Sequence, residues 1–372
     1  MKFTVNKKEI RDILSKVQGI TGRRSNLTIT ENVLFKVSSE GIYVSATDLE
    51  TGFQGNYSAD VESEGDFAIN AKKLFEIVKD FPSDEIHFNE VDNRWIKIGN
   101  DSIEYNIVGI NPDDFPNQPQ VDDVALFDID APALKRMIEK MTVISGATDD
   151  RRPHISGIYF ERILADDQKL VRIVSTDGSR LAKTDYNYDT DFELPEGPSV
   201  IIPKKAIHEV GKFLPSEGTV QLGVKNNYFV VKRDPEMMII RLLEGDFPKY
   251  ADIINRTQGQ IIRISRSMFL MTLKRMSILS SENYKGVVFE FKDNRLKVTA
   301  TNPDIGESKE EIDAETEGEP IKIAFNPKYF IDALGCVEEE TVTLNLLSED
   351  RPCLLNGEGN KDFLCVIMPM RI

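Results

Sequence analysis

Phe127-Asp-Ile129 runs into APALKRMIEKMTVI (131–144), a short alternating strand leading directly into an amphipathic helix. The same junction occurs twice more. Phe3-Thr-Val5 precedes NKKEIRDILSKVQGI (6–20), and Ile262-Arg-Ile264 precedes RSMFLMTLKRMSIL (266–279). In the second helix Leu134, Met137, Ile138 and Met141 follow the i, i+3, i+4, i+7 spacing of a single buried stripe. The third repeats it with Phe269, Leu273 and Met276, Thr272 being the polar exception.

Working outward, three further segment types recur in the same order. The first is a strand, turn and strand ending in a polar corner: VLFKVSSEGIYVSATDLE (33–50), IYFERILADDQKLVRIVSTDGSRLA (158–182) and VVFEFKDNRLKVTATNPD (287–304). Thr47-Asp48, Thr176-Asp177 and Thr301-Asn302 hold the corner. A second helix follows, opening at Ala71, Pro203 or Pro327, where proline suits a first turn that needs no N–H. An acidic turn, a strand and a closing hairpin complete each cycle. Equivalent landmarks lie 124 and 135 residues apart (Phe3, Phe127, Ile262) and 129 and 125 apart (Thr47, Thr176, Thr301). A period of this size is the signature of a repeated domain, and it predicts an α+β chain of three copies. The Pro/Asn/Asp-rich stretch NPDDFPNQPQVDD and the stretch KYADIINRTQGQ place the boundaries at 1–121, 122–256 and 257–372.

Composition bounds the function. The 372 residues, 40% hydrophobic, are enough for several cores. No apolar run approaches the ~18 residues of a membrane span, and MKFTVNKKEI has no apolar h-region, so a cytoplasmic protein without membrane partners is expected. Cys336, Cys353 and Cys365 include no C-x-x-C pair, which argues against a disulfide framework or a zinc site.

A net charge of −16 argues at first against nucleic acid. The charge is unevenly spread. Six helix windows (6–21, 71–80, 131–145, 203–213, 265–280, 327–336) hold 17 basic and 7 acidic residues, a net of +10 that leaves −26 elsewhere. Lysine is a good helix former and solvated helix faces are often charged, but such faces normally carry glutamate too. Six helices side by side, about 10 Å each, enclose a hole only about 9 Å wide. Twelve enclose about 28 Å, enough for a duplex of roughly 20 Å, so two chains closing head to tail would suffice.

The stretches MKFTV (1–5), ATDLE (46–50), STDGSRLA (175–182), GDFPKY (245–250), ILSSENYKG (278–286), FNPKYFIDAL (325–334) and VIMPMRI (366–372) carry a resemblance over the whole chain. It resembles the bacterial β sliding clamps, processivity subunits of the replicative DNA polymerase. The resemblance implies a ring-forming DNA clamp fold, two helices of each domain on the inner face and antiparallel sheets outside, in a homodimer without a catalytic site or cofactor. The partners it implies are encircled duplex DNA, the replicative polymerase and a clamp loader ATPase, with other polymerases, ligase and mismatch-repair proteins binding through short peptides.

For those peptides the family uses a pocket between its second and third domains. Here it implies walls of Ile155, Thr176, Gly178, Arg180, Leu181, Pro248, Ile253, Val366 and Met368, and a groove of Arg152, His154, Asn326, Tyr329, Pro369, Met370 and Arg371. Each of these taken singly is equally readable as a core or strand residue. Apolar walls suit an extended peptide with Leu or Phe anchors, each worth about 1.5 to 3 kcal/mol when buried. For DNA, Arg24 matches a family contact, with Lys72, Lys73, Lys204 and Lys205 at helix starts as phosphate neighbours. The sequence departs from the family's usual proline-containing loop at Ser25 to Thr30, and Asp252 stands where the pocket rim is often basic. In the dimer, Ile278 and Leu279 of one chain would meet the edge near Tyr105 of the other, a place in the core being the alternative for that pair.

Enzyme signals are weak. None of His87, His154 and His208 lies in a nucleophile motif, and no G-x-x-x-x-G-K-[ST] is present. GEGN (357–360) reads as a hairpin turn and Asp177 as a turn former. A scaffold binding only proteins is the second reading and a hydrolase the third.

Overall fold

Each of the three strand-to-helix junctions opens a closely similar run of elements, the second adding a short helix and having one strand fewer among the described residues, in the computed structural model, which describes residues 1–22, 28–121, 123–144, 153–165, 168–188, 195–255, 259–279 and 286–370. The first run is β1 (Lys2–Asn6), α1 (Lys7–Thr21), β2 (Asn32–Ser38), β3 (Gly41–Thr47), β4 (Thr51–Tyr57), β5 (Asp60–Ser63), β6 (Gly65–Asn70), α2 (Ala71–Asp80), β7 (Glu85–Glu90), β8 (Trp95–Gly99) and β9 (Glu104–Val108). The second is β10 (Leu126–Asp130), α3 (Ala131–Ile144), α4 (Pro153–Ser156), β11 (Ile158–Ala165), β12 (Gln168–Thr176), β13 (Arg180–Tyr188), β14 (Val200–Ile202), α5 (Lys204–Phe213), β15 (Thr219–Lys225), β16 (Tyr228–Arg233) and β17 (Glu236–Arg241). After α6 (Ala251–Ile254), the third is β18 (Gln260–Ser265), α7 (Arg266–Met276), β19 (Val287–Lys292), β20 (Arg295–Asn302), β21 (Gly306–Asp313), β22 (Glu315–Thr316), β23 (Ile321–Phe325), α8 (Pro327–Cys336), β24 (Thr341–Leu346), β25 (Cys353–Gly357) and β26 (Phe363–Ile367).

Local chemistry accounts for the repetition. The side chains of Asn6, Asn70, Asp130 and Asn326 accept hydrogen bonds from the backbone N–H of Lys8, Lys73, Ala133 and Lys328 at 2.8 to 3.0 Å, starting α1, α2, α3 and α8. Such a cap is worth about 1 kcal/mol. Pro327 opens α8 as expected, whereas α5 begins at Lys204, leaving Pro203 one residue outside it. Asp48 and Asp177 each accept two backbone N–H bonds, from Glu50 and Thr51 and from Ser179 and Arg180, and Asn302 accepts one from Asp304. All three polar corners are therefore side-chain-closed turns, the role read from the sequence for Asp177. A further bond recurs after each closing hairpin: Ile110 N–H to Ala68, Leu243 to Ile201 and Met370 to Ala324, at 2.8 to 2.9 Å.

The strands form four antiparallel sheets, and their order departs from the simplest reading of three self-contained repeats. The orders are β5-β1-β7-β8-β9, then β10-β15-β16-β17-β4-β3-β2-β6, then β14-β11-β12-β13-β26-β25-β24-β18-β22, then β21-β20-β19-β23. Each repeat thus contributes two half-sheets. Two seams fuse halves of different repeats: β17 pairs with β4 (Ile239 opposite Gly52), and β13 pairs with β26 (Leu181 opposite Val366). The chain accordingly divides into two compact units, 1–135 with 205–242 and 136–204 with 243–372, each holding one fused sheet and one separate sheet.

In the first unit Phe3 stacks on Phe88 at 4.8 Å and Phe35 on Phe67 at 4.7 Å, all buried. In the second, Phe269, Phe289, Phe325 and Phe330 pack edge to face or tilted between 5.0 and 5.8 Å. Each ring buried contributes about 1.5 to 3 kcal/mol. Thr272, the polar exception in the third helix's stripe, is fully buried and donates its hydroxyl to Glu310 at 2.8 Å. The three thiols are buried, and burial pushes that of Cys336 up to about 11. No helix among the described residues is long and apolar enough to cross a membrane.

Candidate functional site

The second unit gathers most of the predicted pocket residues around the β13–β26 seam. Thr176 ends β12, and its hydroxyl donates to the carbonyl of Arg180 at 2.6 Å while accepting the Gly178 N–H at 3.1 Å. This closes a turn in which Gly178 takes φ +87°, a left-handed conformation natural to glycine. Arg180 and Leu181 then enter β13 opposite Ile367 and Val366, and Met368 N–H continues the ladder to the Ser179 carbonyl at 3.0 Å.

The floor is a cluster of Val174, Leu181, Tyr250, Ile254, Leu354 and Val366, with Tyr159, Phe247, Ile253 and Leu364 half-buried against it. Phe247 lies flat on Tyr159 at 4.7 Å, and the Tyr250 hydroxyl donates to the Glu161 carboxylate. Beside the floor, on the same face of the sheet, Arg172 grips Asp185 with two bonds of 2.7 and 2.9 Å, and Lys183 donates to Asp185 and to the Lys361 carbonyl. These buried charges tie β12 and β13 to the turn before β26. Met368 and Met370 stand 45% and 38% exposed beside the floor, apolar surface available for contact.

Arg180 is the polar centre. Its guanidinium, 7% exposed, bonds Asp177 at 2.9 Å and Asp332 of α8 at 2.8 Å, and lies over the Tyr329 ring at 4.6 Å. Burial alone disfavours its charge, but Asp332 and Asp177 more than offset this and hold its pKa above the ordinary arginine value. Asn326 caps α8 one turn away, and His154 and Ile155 are half-buried on α4, His154 beside Gly245. Pro248 is exposed between Phe247 and Tyr250, Pro369 is half-buried, and Asp252 is exposed on α6. Arg24, Arg152 and Arg371 lie outside the described residues.

Sequence reasoning missed Tyr159, Val174, Phe247, Tyr250 and Leu354 as floor residues, and Asp332 as the arginine's partner. The phrase GDFPKY carried a signal for two of them. Asp332 carried none, because its partner is 152 residues away.

The basic helix faces are less free than their composition suggested. Lys16 is paired with the buried Glu236, Lys7 donates to the Phe81 carbonyl, and Arg266 donates to Glu339 and Leu334 carbonyls. Arg275 binds Glu310, and Lys212 binds Glu209 at 3.2 Å. Part of the +10 is therefore consumed by acids outside the helix windows. Lys72, Lys73 and Lys205 are exposed, although Lys73 pairs with Glu76 at 2.9 Å. Lys204 is half-buried, and its positive charge is disfavoured first by burial and then by Arg180, which sets it beside the pocket rather than on an open face.

Tyr105 is 43% exposed on β9, the outermost strand of its sheet. Ile278, 74% exposed in the turn after α7, is not a core residue, so the alternative weighed from the sequence fails for it. Leu279 is half-buried and its carbonyl accepts from Asn302 at 2.9 Å.

Family models for the N-terminal, central and C-terminal domains of the DNA polymerase III beta subunit match residues 1–119, 128–249 and 251–371 in that order. The chain belongs to the DNA polymerase III beta subunit family. It is 29% identical over 374 residues to the beta sliding clamp of Pseudomonas putida and 27% identical over 372 to that of Chlamydia pneumoniae, covering all of this chain in both cases and 100% and 99% of those proteins. The crystal structure of the beta subunit from Pseudomonas aeruginosa superposes with a TM-score of 0.92 at 26% identity, covering both chains fully. A DnaN clamp from Bartonella birtlesii, bound to griselimycin, gives 0.91 at 27% identity with the same coverage. This beta subunit family member is thus a DNA replication protein of the sliding clamp type.

Proposed function

We propose that the chain is one half of a head-to-tail homodimeric ring that encircles duplex DNA without reading its sequence. The ring tethers the replicative polymerase, and other replication and repair proteins, through a peptide pocket at the β13–β26 seam. Its domains are 1–121, 122–256 and 257–372. The ring is non-catalytic, and a separate loader ATPase supplies the energy for opening it.

The carrying observation is the inventory of strand edges. In both seams, the strand that follows a polar corner (β4, β13) pairs with the closing strand of another repeat (β17, β26). The remaining strands of these two kinds are β21 and β9, which end their own sheets. A second copy related by a two-fold axis offers β9 to β21 and β21 to β9, and so satisfies both edges at once. Tyr105 on β9 and the exposed Ile278 beside β21 then fall on the joint. Exposed Lys72, Lys73 and Lys205, with Arg24, supply weak, salt-sensitive contacts to phosphates that position without specifying. The apolar floor with exposed Met368 and Met370 suits an extended peptide with large apolar anchors. Griselimycin bound to the Bartonella relative supports a ligand-accepting surface in this family.

The test is retention on a nicked circular plasmid, after incubation with a competent loader and ATP, followed by a single cut of the circle. Protein that stays on the circle and leaves the cut DNA is held topologically. Equal retention on both, or none on either, refutes encirclement and favours a protein-only scaffold, a reading that the internally paired helix lysines and arginines would suit.

A further inference from the structure

The first unit contains a second seam built like the one at the pocket, and the two can be compared position by position. Thr47 pairs with Gly52 as Thr176 pairs with Leu181, so Gly52 stands where Leu181 forms the pocket wall. Opposite them lie Ile239 and Val366, and beyond these Val230 and Leu354. On the other side Leu34 matches Tyr159, and the two carry the equivalent rings Phe115 and Phe247. The floor of a peptide pocket is therefore present twice in one chain.

What covers the two floors differs. In DFPKY (246–250) the side chain after the proline turn is Tyr250, which packs in one apolar cluster with Leu181 while its hydroxyl reaches Glu161. In DFPNQ (114–118) it is Gln118. Its amide donates to the Ser45 hydroxyl and the Ala46 carbonyl, both at 3.2 Å, and its oxygen lies directly over Gly52. A Cβ added to Gly52 would collide with that amide. Val121, three residues on, is 3% exposed against Val230 and Ile239. The chain's own linker thus sits on the floor of the first seam, held by two hydrogen bonds and a buried valine.

We infer that Gln118 and Gly52 are the specificity-determining pair that closes the first seam to partner peptides, so that each chain takes one peptide although its fold supplies two floors. The inference rests on the proposed role of the second seam as the peptide pocket. Removing the Gln118 side chain vacates the space over residue 52, and leucine there restores the missing wall. The polar amide is needed to satisfy Ser45 and Ala46 only while the linker lies closed, since water takes over when it is absent.

The experiment is calorimetric titration of the full-length chain with a short peptide bearing adjacent Leu and Phe anchors, on wild type and on Gln118→Ala/Gly52→Leu. One peptide per wild-type chain and two per variant chain are expected. One per chain on a cooperatively folded variant, or two on wild type, overturns the inference. Should the variant not fold, methionine-methyl NMR of the wild type decides. The Met368 methyl should shift on saturation while that of Met237, which borders the first floor, stays in place, and a matching Met237 shift overturns the inference. No peptide bound to wild type at all sinks the pocket reading, and this inference with it, and is distinguishable from the other outcomes.

Discussion

Arg180 sets a guanidinium between two carboxylates and a tyrosine ring at the start of β13, within the proposed pocket. Its charge is buried, so it is tolerable only because two carboxylates and a tyrosine face meet it. Removing the guanidinium leaves Asp177 and Asp332 with their charges partly desolvated and unpaired. Arg180→Ala is expected to cost about 2 to 4 kcal/mol of stability, and Arg180→Lys should recover little, since a point charge cannot serve both carboxylates as the planar fork does. Urea denaturation of both variants checks this, and an Arg180→Ala midpoint equal to wild type would refute it. The sequence made Arg180 a candidate through the STDGSRLA phrase, yet it gave no sight of Asp332. Charges that meet across the fold leave no local period. The same blindness inflated the helix charge, because Lys16 and Glu236 are adjacent only once α1 has packed near β17.

At the scale of elements, most of the fold was legible because each element states its own reason. Stripes at helical spacing and Thr-Asp corners all act over fewer than ten residues. Sheet fusion was not legible, since β4 and β17 are separated by about one and a half repeats and nothing in either strand names its partner. It is the fusion that makes β9 and β21 conspicuous. An isoleucine 74% exposed next to such an edge is worth about 1.5 to 3 kcal/mol when covered. Ile278→Asp should therefore raise the dimer dissociation constant at least tenfold, as read by sedimentation across a dilution series. A dimer that withstands dilution as wild type does would place the joint elsewhere.

For the whole molecule, the division of labour within the central repeat matters most. Its first half-sheet belongs to one compact unit and its second to the other, so neither half is finished by the repeat itself. Cut free as residues 122–256, that repeat would carry one raw edge of each complementary kind, β13 and β17. Copies joined through those edges form a heterologous contact, which either closes into a small ring or runs on without end. Light scattering of the purified fragment should find concentration-dependent chains or closed multimers, and a persistent monomer would count against edge complementarity. The flanking repeats cover those two edges with β26 and β4 and carry the same complementary pair outward to β9 and β21, so that three repeats rather than one lie between the edges a ring has to bring together.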